Sequence, residues 1–85
     1  MEKYPKIKNV KPLKEKKLLV TFENNDKKIY DCSSLLEDDA FNPLLNNTIF
    51  NSVKVDKHGY GIIWNDDIDL SESEIWLNGS PCPLR

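Results

Sequence analysis

His58 is the sole histidine of this 85-residue chain, and Cys32 and Cys82 are its two thiols. Covalent catalysis by a thiol needs a base beside it, so Cys32 with His58 is the pair to weigh. His58 stands between Lys57 and Gly59, in a turn-forming stretch, and Cys32 follows the strand-forming run ending at Asp31. A cysteine at a strand end packs as a small apolar group, and a turn histidine is solvated, so no catalytic pair is expected. One histidine and two cysteines from distant segments give only three zinc ligands, and no Cys-x-x-Cys spacing is present. Both cysteines are read as free thiols in a reducing compartment.

Asp66, Asp67, Asp69, Glu72 and Glu74 form the densest run of carboxylates, the oxygen ligands that Mg²⁺ and Ca²⁺ prefer. A calcium loop begun at Asn65 puts Asp67 and Asp69 at its third and fifth positions. It then fails, because Leu70 falls where glycine is required and Trp76 where the bidentate glutamate belongs. The run reads instead as an acidic turn followed by a helix, whose dipole favours Glu72 and Glu74 in its first turn. Gly59, Gly61 and Gly79 match no phosphate-binding fingerprint. No metal, no cofactor and no enzymatic activity are expected.

Binding is the remaining class of chemistry, and charge is its first signal. Residues 1–28 carry nine lysines and four acids, a balance of +5, whereas residues 29–85 carry three bases and ten acids, a balance of −7. The two halves attract each other, and the lysines solvate the outer face and edge of an N-terminal sheet. A nucleic-acid reading uses the lysine-rich segment Lys3 to Lys28, with Tyr30, Tyr60, Trp64 and Trp76 as a stacking platform. Against it stand the overall charge of −2 and a single arginine, Arg85. Eight aromatic side chains are also what a core of this size requires. Ile75-Trp76-Leu77 differs: three large apolar groups on one short helix cannot all be buried, so one faces a partner. Ile75, Trp76 and Leu77, with Lys6 and Lys8 at the sheet edge, are the candidate partner-binding residues.

The elements that must position these residues follow from periodicity. Lys6-Ile7-Lys8-Asn9-Val10 alternates, and Leu18, Val20 and Phe22 share one face of a stronger strand. Pro12 cannot donate to a ladder, so the first strand ends near it. Asn24-Asn25-Asp26 is a hairpin turn leading to a third strand at Lys28-Ile29-Tyr30-Asp31. Ser33 or Ser34 caps a turn through Leu35-Leu36, Pro43 opens another segment, and Asn47 caps a short helix from Thr48 to Ser52. Val53–Asp56 and Tyr60–Trp64 flank Lys57-His58-Gly59 as a second hairpin, with Gly59 taking the awkward dihedral. Ile68 and Leu70 continue the apolar pattern after the Asp66-Asp67 turn. Ser71-Glu72-Ser73-Glu74 is a capping box, and Gly79 ends the helix it starts. Residues 78–85 form an extended tail.

The order β-β-β, short helices, β-β, short helix describes an α+β fold: a mainly antiparallel sheet with helices packed on one side. Residues 1–85 make a single compact domain. No apolar run approaches the ~20 residues that cross a bilayer, and the N-terminus lacks a secretory signal, so no membrane contact and a cytoplasmic location are expected.

Lys17-Leu18-Leu19-Val20-Thr21-Phe22-Glu23-Asn24, Tyr30-Asp31 leading to Leu35-Leu36, Phe41-Asn42-Pro43-Leu44 with Phe50, Val53-Lys54-Val55-Asp56, Gly61-Ile62-Ile63-Trp64 and Asp69-Leu70 occur in one order at the right spacing. Together they resemble domain of unknown function 2442, a small bacterial family, over about residues 6–77. The family's usual Asn-Gly turn is Asn24-Asn25 here. The resemblance implies a compact α+β domain without a known activity. Some members carry an added helix-turn-helix, and some are encoded beside another small protein in a toxin-antitoxin-like pairing. This chain ends at Arg85 with no helix-turn-helix, so autonomous DNA binding is not expected. Trp64 and Asp69 match recognisable family positions, and both are read as structural. The expectation is a non-enzymatic protein-interaction or regulatory module, antitoxin-like, whose partner is another small protein or a second copy of this chain. The alternative is the nucleic-acid-binding protein described above.

Overall fold

The computed structural model describes residues 4–65 and 68–81. The expected Asp66-Asp67 turn, Cys82, Lys3 and the last four tail residues lie outside that description.

The alternation of Leu18, Val20 and Phe22 sets strand β2 (Lys17–Phe22), all three side chains being fully buried. Strand β1 (Ile7–Pro12) pairs with it antiparallel and ends with Pro12 opposite Leu18. Strand β3 (Lys27–Asp31) flanks β2 on its other side, with Leu18 opposite Tyr30 and Leu19 opposite Ile29. The β2–β3 turn closes through Asn25, at φ 73°, and the Asp26 amide donates to Asn24 Oδ1 at 2.9 Å. Asn supplies the left-handed conformation that the turn demands.

The next segment is built from short turns, and its caps correct the expected ones. A 3₁₀ turn spans Leu35–Glu37, but the Ser34 hydroxyl makes no cap bond; the Ser33 amide instead donates to Asp31 Oδ1 at 2.9 Å. A second 3₁₀ stretch, Asp39–Leu45, is capped by Asp38 and holds Pro43 in its interior. Helix α1 (Asn47–Phe50) is capped by Asn46, not Asn47: Asn46 Oδ1 accepts from the Thr48 and Ile49 amides. The two asparagines share the same capping chemistry, and the extended backbone at Asn46, φ −78° and ψ 120°, makes it the cap.

Strands β4 (Lys54–Val55) and β5 (Gly61–Asn65) form the second hairpin, with Gly59 at φ 77°. Strand β6 (Ile68–Ser71) pairs with β5. A Cβ on Gly61 would lie 2.3 Å from the Leu70 carbonyl oxygen, so only glycine lets β5 and β6 approach this closely. Helix α2 (Glu72–Asn78) starts at Ser71, whose hydroxyl accepts from the Glu74 amide, the N-cap half of the expected box, while the Glu74 carboxylate accepts from Tyr30 and Asn78. Gly79 follows as its C-cap.

The expected single sheet is two. Strands β1, β2 and β3 continue into β7 (Ser80–Pro81), in the order β1-β2-β3-β7, and β4-β5-β6 form a separate antiparallel sheet. Strand β7 was not legible, because two residues are too short for a period to show, whereas the buried Ile68 and Leu70 of β6 continue the apolar pattern as expected. The tail correction is therefore specific: α2 runs through Asn78, and Ser80–Pro81 join the sheet. The two sheets meet where the Ile7 amide donates to the Gly59 carbonyl at 2.8 Å. Ile7, Leu18, Val20, Phe22, Tyr30, Leu44, Phe50, Ile62, Trp64 and Ile75 are among the residues of one core shared by both sheets and the helices.

Among the described residues, no helix is long and apolar enough to cross a membrane.

Candidate interaction surfaces

Helix α2 sorts its three large apolar residues by depth. Ile75 is 0% exposed and belongs to the core, so it presents nothing to a partner, which corrects its place among the binding residues. Trp76 is half-buried, edge-on to Phe22 with ring centroids 5.1 Å apart. Lys28 reaches over its outer face, with Nζ 4.3 Å from the ring, and donates to the Trp76 carbonyl at 2.5 Å. That cation completes a carbonyl at the end of the helix, where the dipole favours positive charge. Leu77 is 64% exposed. It is the residue of the three that the fold leaves uncovered.

Glu74 ties the same helix to β3, accepting from the Tyr30 hydroxyl at 2.8 Å and from Asn78 Nδ2 at 3.0 Å. Burial and the neighbouring carboxylate push the Tyr30 hydroxyl well above the usual phenol range, so it stays a donor.

Lys6 and Lys8 are exposed at the start of β1, as the edge reading placed them. Lys6 Nζ lies 4.9 Å from the Tyr60 ring, and Tyr60 also packs against the exposed His58 at 6.1 Å. Lys8 donates to Asn25 Oδ1 at 3.4 Å. Among the described residues, no hydrogen bond, ion pair or ring contact joins these lysines to the α2 trio, so the five residues form two separate patches.

The stacking platform does not assemble. Tyr30 and Trp64 are each 5% exposed; Trp64 donates from Nε1 to the Phe50 carbonyl at 3.1 Å. Cys32 is fully buried, and burial, with a smaller push from the charge of Asp31, raises its thiol to about 12. A thiol held protonated is no nucleophile at neutral pH. His58 turns outward on its exposed turn. Among the described residues, no three His, Cys, Asp or Glu side chains are grouped so as to hold a metal ion.

Two features escaped the sequence reading. The first is not the turn through Leu13–Lys16, which the end of β1 at Pro12 implies, but its backbone: Glu15 and Lys16 both stand at φ 61°, a left-handed pair without glycine. It is held by Lys16, whose Nζ donates to Asn47 Oδ1 and the Leu45 carbonyl and sits 5.3 Å from the Phe50 ring. An open groove of about 740 Å³ lies here, lined by Leu13, Lys14, Lys16, Asn47 and Phe50 among others. The second feature is the outer face of the four-stranded sheet, where Leu19 and Ile29 sit side by side, half-buried and absent from the core. The signal was present: Leu18-Leu19-Val20 puts apolar residues on both parities of one strand, which a sheet with one fully solvated face does not need.

The family model for a protein of unknown function (DUF2442) matches residues 7–80. No curated protein and no solved structure matches the chain.

Proposed function

Since the chain belongs to the DUF2442 family, we propose that it is a non-enzymatic module that binds another small protein, as the regulatory or antitoxin-like half of a two-protein pair in the cytoplasm. The observation that carries this reading is Leu77. The core closes without it, Ile75 and Trp76 having taken the available depth, and a leucine left 64% exposed at the end of a helix is an anchor for a partner's apolar pocket. The Lys28 ammonium over the neighbouring residue in sequence, Trp76, adds a polar rim. The buried, protonated Cys32 and the outward His58 support a binding role over thiol chemistry.

Purification of tagged protein from its native host tests the proposal, with Leu77→Lys run in parallel. A polypeptide retained by the wild type and lost with Leu77→Lys is the expected result. A wild-type protein that emerges alone at every salt concentration, or a partner held equally by the variant, overturns it.

A further inference from the structure

The outer face of the four-stranded sheet is arranged in rows by its register. Lys11, Leu19, Ile29 and Ser80 form the central row across β1, β2, β3 and β7; Lys17 and Asp31 form the row on one side, and Asn9, Thr21 and Lys27 the row on the other. Leu19 and Ile29 are half-buried, and neither residue joins the core.

A rotation of 180° about an axis parallel to the strands, running between β2 and β3, turns this face over while keeping every row in place. It lays Leu19 of one copy on Ile29 of the other and Ile29 on Leu19. The same rotation sets Lys17 against Asp31 twice, Lys11 against Ser80, and Thr21 against Lys27. No like charges meet. A surface complementary to itself under a two-fold axis is what an isologous dimer requires. We infer that the chain self-associates through this face, with Leu19 and Ile29 at the centre and two Lys17–Asp31 pairs beside them. The surface is distinct from the Leu77 patch, so the two proposals stand or fall separately.

Packed sheets are rotated by about 30° from alignment. Leu19 and Ile29, beside the axis, move by only about 1 Å, while Lys11 and Ser80 at the ends of the central row and the rows one step out shift by roughly 3.5 Å, which a lysine stem spans. On its own chain Lys17 has Glu15 within 3.8 Å and Asp31 opposite it on β3, exposed neighbours that hold it only weakly. The nine positions of these rows, each about 4.8 Å by 6.8 Å, make a patch of roughly 300 Å² per copy. That is under half of the ~800 Å² per partner in a standard complex. The dimer is accordingly weak and visible only at high protein concentration.

Sedimentation velocity over a wide concentration series, at low ionic strength, tests the inference. The wild-type mass should rise towards twice the chain mass as concentration increases. Lys17→Glu sets Glu against Asp31, and Asp31→Lys sets Lys against Lys17, so each variant alone should stay monomeric. Mixed together, the two restore both opposed pairs and should dimerise. Ile29→Asp should abolish association in every combination, with circular dichroism checking that each variant keeps the wild-type fold. A wild-type mass that stays at one chain throughout overturns the inference, as does a mixture no more associated than its components. Dimerisation that persists in Ile29→Asp assigns the contact to another surface and equally overturns it.

Discussion

At the residue scale, Cys32 shows how burial decides chemistry. Its thiol is fully enclosed, and its ordinary value of 9.0 rises to about 12, chiefly through desolvation. Unfolding returns it to water. Across that window the unfolded chain has released a proton that the folded chain retains, so stability is intact below pH 9 and is lost as pH climbs towards 12. Tyr30, raised in the same direction by burial and Glu74, adds a second loss beginning near its ordinary value of 10.0. Thermal melts should therefore show a midpoint that declines above pH 9, and Cys32→Ala should flatten the part of the decline before Tyr30 begins to titrate. An unchanged slope in the variant would remove Cys32 as the cause. Gly61→Ala is expected to be far more damaging, costing about 3 kcal/mol or more, since its methyl would collide with backbone rather than a side chain that can turn away. Denaturant melts measure it. The sequence carried the chemistry of these residues well: a buried thiol, a solvated histidine and an overfull α2 were all readable from type and position. It could not say which of Ile75, Trp76 and Leu77 stays outside, because that depends on where Phe22 and Lys28 stand, and they belong to strands more than forty residues away.

At the scale of elements, the legible pieces are those whose own residues satisfy their backbone groups. The α2 capping box is one, and Ser71→Ala should cost about 1 kcal/mol in urea denaturation by freeing the Glu74 amide. The β2–β3 turn is another, where Asn25 already occupies the left-handed region. Asn25→Gly is expected to keep the fold with a slightly raised midpoint. The Leu13–Lys16 turn is the opposite case: nothing in Leu-Lys-Glu-Lys favours positive φ, and its conformation is imposed by Lys16 reaching to α1 and by the Cys32 amide donating to the Lys16 carbonyl at 3.0 Å. A left-handed non-glycine residue costs roughly 1–2 kcal/mol. Glu15→Gly should therefore stabilise the protein by about 0.5–1 kcal/mol, since the weak exposed pair with Lys17 is all that is lost. A lower midpoint would show that the turn is not strained. Strand β7 was hidden for a related reason, since its pairing partner, not its own pattern, defines it.

At the scale of the whole molecule, the expected attraction between a basic front half and an acidic back half takes an unexpected form. Among the described residues a single ion pair forms, Lys17 with Glu15, and it is local. The halves are joined instead by lysines set on rings and carbonyls: Lys28 on Trp76, Lys16 on Phe50 and Leu45, and Lys6 on Tyr60. Such short contacts are screened little by salt. The melting midpoint of dilute, monomeric protein should thus be nearly constant from low to moderate ionic strength, whereas a steep fall would restore long-range attraction as the main tie.

The position of β7 has a consequence for how the polypeptide is made. Ser80 and Pro81 complete the rim of a sheet whose other three members lie within the first thirty-one residues. During translation the β1–β3 segment emerges with Lys28 and Ile29 unpaired along their outer side, and it stays so until Ser80 and Pro81 have followed it out of the ribosome. The strand of the four that is made last is thus the one that shuts an aggregation-prone border, and the nascent sheet stays vulnerable along that side until that strand docks.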